Sequence, residues 1–465
     1  MMAEQQQRKV KLDYRMTFLI GFAFLSTGIW QLYNVKMPIM LTFFLGTMPW
    51  KDFIIGIIMV LDNITAVFLQ PYFGALSDRT RTKFGKRVPY LMIGIPFAAI
   101  SFVLIPQSMN LWMLLALIMC FNFAMALYRS PAVALMPDLT PSEVRAKGNA
   151  IINLMGGLGT IAAYLVGMLT FDKDPSGATA FGIGGIIMIV CLVVVVTTVD
   201  EQKVTARMVG LYGPDFAADK TELKKFRVQA GAPGAEKKRN LAQRLASSDI
   251  VMLFREKEKS AIFMLLAIFC LFMAFNAIET FFSLYAVNVL GFSEGQASNL
   301  MLFLPLMFIA FALPAGIMSE KVGRRKIIKI GLLLMACLIA TMIFTTSFPL
   351  VMIVVLGIGM AYSLVNINTI TVVWQLAPDG KIGAYTGVYY LFSALAQIIS
   401  PVLVGFFFSV SEGTLGPLRY ALLFPYGVVF LIVAFLMMFK VKRGEVILSK
   451  EEIEKLKKVY EKADD

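Results

Sequence analysis

Residues 74–87 read GALSDRTRTKFGKR, and 242 residues after Gly74 the chain returns to the theme: Gly316–Lys326 reads GIMSEKVGRRK. Each stretch places a glycine, an acid four residues on, a second glycine and then a cluster of cations, and each closes a long apolar run. The first copy carries four extra residues between its acid and its second glycine, Asp78 to Gly85 against Glu320 to Gly323. Met136-Pro137-Asp138 is matched by Ala377-Pro378-Asp379, and Gly148 by Gly387, at nearly the same spacing. A parallel repeat of this period marks two helical bundles related by an axis along the membrane normal.

Composition places both bundles in lipid. The 465 residues are 58% hydrophobic and 16% charged, with a mean hydropathy of +0.74; a soluble domain carries about 25% charge. Twelve helical spans are expected near 16–45, 53–77, 88–107, 111–136, 147–171, 180–199, 260–288, 297–318, 326–347, 349–376, 382–410 and 418–440, each long enough for ~30 Å of hydrocarbon. The net charge of +13 does not point to nucleic acid, because 38 of the 43 cations fall in segments on one side of these spans. By the positive-inside rule that side is cytoplasmic, with both termini there, in a plasma membrane protein. The polar start, MMAEQQQRKVKLDYR, leads straight into the first span and is not read as a cleavable signal. The expected organisation is a six-helix half (1–199), a linker (200–259), a second half (260–440) and a cytoplasmic tail (441–465). In the tail Ser449 and Glu452 form a capping box before an amphipathic helix bearing Ile453, Leu456 and Tyr460. The four cysteines lie in apolar runs and histidine is absent. No disulfide framework, zinc site or other cofactor is therefore expected, and proton chemistry falls to carboxylates.

The repeated motif resembles the loop signature of the major facilitator superfamily, between spans 2 and 3 and echoed between spans 8 and 9. The expanded form from Ser77 to Arg87 resembles the glycoside–pentoside–hexuronide:cation symporters. Gln70-Pro71 and YRSPAVALMPDLTPSEVRAKGNAIINLMGGLG (128–159) are similar to its sucrose and maltose proton symporter branch, solute carrier family 45 and prokaryotic relatives. The resemblance implies an all-α membrane protein of twelve transmembrane helices in two pseudo-symmetric halves that rock about a central site. Two departures matter. The positions of the melibiose-type cation carboxylates are Ala66 and Gln70 here, so a proton is the expected coupling ion. The arginine that plant-type sucrose carriers place before the acid ending span 4 is Val133, with Arg129 one turn earlier.

Polar stripes must face protein or water rather than lipid. Spans 1, 2, 4, 5, 7, 10 and 11 carry them, whereas 3, 6, 9 and 12 are nearly bare and read as outer support; span 8 is apolar too. Of the acids, Asp62 and Glu279 lie deep within spans, about 13 Å below the outer end, and Arg129 lies deep in span 4. These three are the candidates for proton coupling. Gln31, Tyr33, Asn34, Asn122, Asn153, Asn276, Asn366, Tyr390 and Gln397 are the candidates for binding substrate. Lys36 either joins them or snorkels to the outer interface. Gly74, Asp78, Arg79, Gly85, Arg87 and, in the second half, Gly316, Glu320, Gly323 and Arg324 are expected to gate, the acid stabilising a helix N-terminus in one state and releasing it in the other. The expected function is proton-coupled symport of a glycoside, a disaccharide such as maltose, by a monomer whose partners are that sugar and membrane lipid. Proton-driven export, carriage of a lipid-like or other organic solute, and a sugar sensor that moves nothing are the alternatives. No catalytic constellation points to an enzyme.

Overall fold

Apolar runs in hydrocarbon have no water to satisfy their backbone, which leaves helices as the solution. The computed structural model describes residues 12–141, 144–212, 258–378 and 381–444, so most of the linker, Asp379 and the amphipathic tail helix lie outside the described residues. The first half comprises α1 (Tyr14–Gly28), α2 (Gln31–Leu45), α3 (Lys51–Met59), α4 (Leu61–Arg79), α5 (Val88–Leu104), α6 (Leu111–Leu139), α7 (Arg145–Thr170) and α8 (Ala178–Thr198), and α9 (Glu201–Tyr212) opens the linker. The second half comprises α10 (Ser260–Asn288), α11 (Glu294–Val322), α12 (Arg324–Thr341), α13 (Phe348–Leu376), α14 (Ile382–Leu415) and α15 (Leu423–Lys440).

These helices make twelve crossings, two of them discontinuous: α1 and α2 are parted at Ile29–Trp30, and α3 and α4 at Val60. The sequence reading expected each as one unbroken span. Ten stretches are individually long and apolar enough to cross a membrane. One of them, Tyr385–Lys440, contains two crossings. The remaining helix, α12, carries Arg324, Arg325, Lys326 and Lys329, which keep it short of that measure.

The four outer-support spans (α5, α8, α12, α15) make their main contacts within their own halves. Between the halves α2 meets α10 and α11, α3 and α4 meet α14, and α7 meets α11. Apolar span 8 (α11) is therefore part of the seam. Glycine sets how closely these helices approach: a Cβ at Gly56 would lie 2.4 Å from the Pro401 carbonyl oxygen, and one at Gly405 2.4 Å from that of Asp52.

The seam is one-sided. Three ion pairs join the halves at the end away from the basic loops: Lys36–Glu294 (2.6 Å), Asp52–Arg419 (2.6 Å) and Lys51–Glu412 (2.9 Å). Lys36 thus does not snorkel; it is 3% exposed and held by a partner in the other half. The described ion pairs at the basic end stay within one half or its adjoining linker. There no described residue lies within 4 Å of a Cβ built on Gly316, Gly383 or Gly387. Among the described residues, the ion pairs between the halves thus gather at the end away from the basic loops.

Gly159 offers a test of the packing within a half, because a Cβ there would stand 2.2 Å from the Leu25 carbonyl oxygen. Backbone cannot yield as a flexible side chain can. Gly159→Val is expected to destabilise the first half by about 1–3 kcal/mol, read as a lower melting temperature of the purified protein; an unchanged value would contradict the α1–α7 approach.

Candidate functional site

Both helix breaks place polar residues at mid-membrane. Gln31 stands in the first turn of α2, and its amide nitrogen donates to Glu279 Oε1 of α10 at 3.1 Å. Its oxygen accepts from Asn34 Nδ2 (2.8 Å) and from the Tyr164 hydroxyl (3.1 Å). This chain of hydrogen bonds ties span 1 to span 5 and, through Glu279, to the opposite half. Tyr164 was not singled out from sequence; a lone aromatic on an otherwise apolar turn carries no distinguishing signal.

Asp62 occupies the first turn of α4, just past the break at Val60. Its carboxylate lies within electrostatic reach of Arg129 and Glu279, yet Arg129 forms no ion pair among the described residues and is exposed. A buried Asp62–Arg129 pair binding helices together is thus not what the structure contains. Instead Trp30, Asp62, Ala66, Gln70, Asn122 and Arg129 line a small pocket partly open to solvent, built by the first half alone. Asp62 Oδ1 and both amide atoms of Asn122 are buried there with no hydrogen-bond partner. Tyr33, stacked on Trp30 with ring centres 6.0 Å apart, likewise has a buried, unpartnered hydroxyl. Unmade bonds of this kind cost about 1–3 kcal/mol each, so their accumulation beside a cavity marks a place built for a polar occupant.

The remaining candidates are not drawn into this group. Asn153 is exposed on α7 and donates to the Asn149 carbonyl at 2.9 Å, and Asn276 donates to that of Phe272 at 2.7 Å. Gln397 reaches Ser393 Oγ at 3.4 Å, Tyr390 is exposed and edge-on to Tyr389, and Asn366 is half-buried on α13. The nearby Tyr362 ring lies flat against Phe275 at 4.1 Å, so one of its faces is already covered.

At the basic end the repeated motif folds around Arg87. Its Nε donates to Asp138 Oδ2 at 2.7 Å, and its other nitrogens to Asp78, to Ser77 Oγ and to the Gly74 carbonyl. Burial works against the Arg87 charge, but Asp138 and Asp78 outweigh it and hold the guanidinium above the usual arginine range. Arg79, Glu320 and Asp78 itself are exposed, and Arg324 is half-buried at the start of α12. Asp78 was expected to serve a helix N-terminus. In this structure Asp78 holds Arg87, and the N-terminus of α5 is capped by Glu201, 3% exposed at the head of α9, whose carboxylate accepts from the backbone N–H of Lys86, Arg87 and Val88 at 2.9, 2.9 and 3.2 Å. An acid placed directly after a span, against the basic trend of that side, was the available signal. Gly85 and Gly323 adopt φ of 100° and 101°, a backbone that favours glycine; the repeat therefore extends to main-chain conformation. In the second half Arg325 donates to the Val441 carbonyl (3.0 Å) and to that of Lys442, so chain beyond span 12 docks where α9 docks in the first half.

Two outcomes follow from this geometry. Asn122→Leu removes a buried amide with nothing to bond, so the empty protein is expected to melt no lower than the parent while ligand-induced stabilisation disappears; a clear fall in melting temperature without ligand would show that the amide is satisfied. Glu201→Ala strips the cap from α5 and should lower stability by about 0.5–2 kcal/mol, whereas Glu201→Gln, which keeps an acceptor oxygen, should lose less.

Comparison with known proteins agrees with this architecture. The family model for the Major Facilitator Superfamily matches residues 19–401 and 264–462. The chain is 27% identical over 167 residues to the proton-associated sugar transporter A of Rattus norvegicus, 32% of this chain and 22% of that protein. It is 25% identical over 150 residues to the sucrose transport protein SUC3 of Arabidopsis thaliana, 28% and 25% of the two chains. These matches thus span about a quarter or less of each relative's length. The inward open conformation of the xylose transporter XylE from E. coli aligns with a TM-score of 0.64 at 15% identity, covering 95% of this chain and 99% of that one, a likeness of fold. The chain belongs to the Major Facilitator Superfamily and is an integral membrane transporter, not an enzyme.

Proposed function

We propose that this transporter carries a glycoside, a disaccharide such as maltose, together with a proton by alternating access. The observation behind the reading is the first-half cavity, where Asp62 and Asn122 hold buried polar atoms without partners. A sugar hydroxyl both donates and accepts, so a carbohydrate ring can satisfy a carboxylate, an amide and the Arg129 guanidinium together while its flat face rests on Trp30. The relatives named as sugar and sucrose carriers point the same way.

For coupling, Asp62 and Glu279 are two acids at mid-membrane within electrostatic reach of each other. A charge held there is costly, so taking up a proton favours the arrangement in which the halves close over the site. Ala66 and Gln70 give the cavity no further carboxylate for sodium, which favours the proton. The side rich in Lys and Arg faces the cytoplasm of a plasma membrane, with both termini there, and the working unit is a monomer.

Purified protein in liposomes, given labelled maltose under an imposed proton or sodium gradient, tests this. Accumulation is expected with the proton gradient alone. Glu279→Gln should abolish it while leaving sugar exchange in place. Accumulation driven by sodium alone would overturn the coupling, and no maltose movement under either gradient would overturn the sugar.

A further inference from the structure

Four consecutive residues of the first half, Trp50 to Phe53, each take hold of the second. Trp50 stacks on Phe406 with ring centres 5.7 Å apart. Lys51 pairs with Glu412 at 2.9 Å. Asp52, fully buried, receives Arg419 Nε at 2.6 Å and the Tyr420 hydroxyl at 3.0 Å. The backbone N–H of Phe53 donates to Ser409 Oγ at 3.0 Å. One turn further on, Gly56 and Gly405 bring the two backbones together. The segment is also strained: Trp50, with φ of 61°, is the one non-glycine residue at positive φ among those described. A bulky side chain seldom adopts that conformation, and it persists only where the surroundings over-determine it. Trp50 stands half-exposed in the turn between α2 and α3, and the rings packed on it are Phe53 of its own half and Phe406 of the opposite one.

We propose that Trp50–Phe53 is a sprung latch that holds the end of the transporter opposite the basic loops shut. When the halves part there, the stacking and the desolvated ion pair are lost, the Asp52 and Arg419 charges regain water, and the Trp50 backbone is free to relax. The two terms have opposite signs, which gives the latch a signature. Trp50→Ala removes the stacking and leaves a Cβ at positive φ, so it biases the protein toward opening at this end; Phe406→Ala loses both that stacking and the edge contact on Phe53. Trp50→Gly removes the stacking and the strain, so it biases it less than Trp50→Ala. Neither effect depends on which solute is carried or on the coupling ion.

The test uses the full-length purified protein in detergent with Cys120, Cys191, Cys270 and Cys337 replaced by serine, and a maleimide as probe. Ser283→Cys reports on the latched end: Ser283 is 2% exposed, its hydroxyl has no partner, and it lies one helical turn from Glu279 toward the latch. Gln70→Cys reports on the first-half pocket, at its α4 residue nearest the basic end. Phe406→Ala and Asp52→Asn are each expected to speed labelling at Ser283→Cys at least about tenfold, a shift of ~1.4 kcal/mol, while slowing it at Gln70→Cys. Trp50→Ala should act in the same direction, and Trp50→Gly should produce a smaller change than Trp50→Ala. The exchange Asp52→Arg with Arg419→Asp should bring both rates back toward those of the parent. Unchanged rates at both reporters overturn the latch. So does acceleration at both, which signals general loosening, and so does a Trp50→Gly effect as large as that of Trp50→Ala.

Discussion

Taking a full charge out of water costs several kcal/mol even after the protein relaxes around it. In a chain with 43 cations and 30 acids threaded through twelve membrane crossings, that cost decides where each charge can rest. Most cations avoid it by sitting in the loops on one side. On the other side Lys173 stays exposed, and the remaining three meet it by pairing: Lys36 with Glu294, Lys51 with Glu412 and Arg419 with Asp52, each bond joining one half to the other. The same electrostatic demand that sets topology on the basic side thus supplies the contacts that close the opposite side.

Within the membrane the charges are treated differently. Glu279 is engaged by Gln31, whose oxygen in turn accepts from Asn34 and Tyr164. Asp62 and Arg129 remain near each other without pairing, on the wall of an open cavity. The polar chain through Gln31 crosses between the halves at the same level, so occupancy in the first half and the charge on Glu279 in the second act on one shared region.

The repeat is faithful in backbone and divergent in chemistry. Gly85 and Gly323 share the same positive φ to within a degree. Around them Arg87 gathers two carboxylates, while Arg325 binds carbonyls at the end of span 12. A glycine required by the main chain is preserved across the duplication, whereas the groups it presents are free to differ. One result is that the linker is fastened to the first half through Glu201 on the N-terminus of α5.

The sequence by itself determined the helical class, the repeat and the outer-support spans, and it singled out the acids within spans. Each follows from a local quantity: the length of an apolar run, the side on which Lys and Arg collect, or a polar residue at helical spacing. Tertiary structure decided the rest. Asp52 looked like an ordinary acid at a span's edge until the fold set it against an arginine 367 residues away. The breaks at Ile29–Trp30 and Val60, which put Gln31 and Asp62 in first turns, have no proline or glycine pair at the parted residues to announce them. Glu201 became a helix cap only because α9 folds back on the loop at Gly85. In each case the deciding energy, whether desolvation, close packing of backbones or a cap, belongs to a contact between distant segments, which local pattern does not encode.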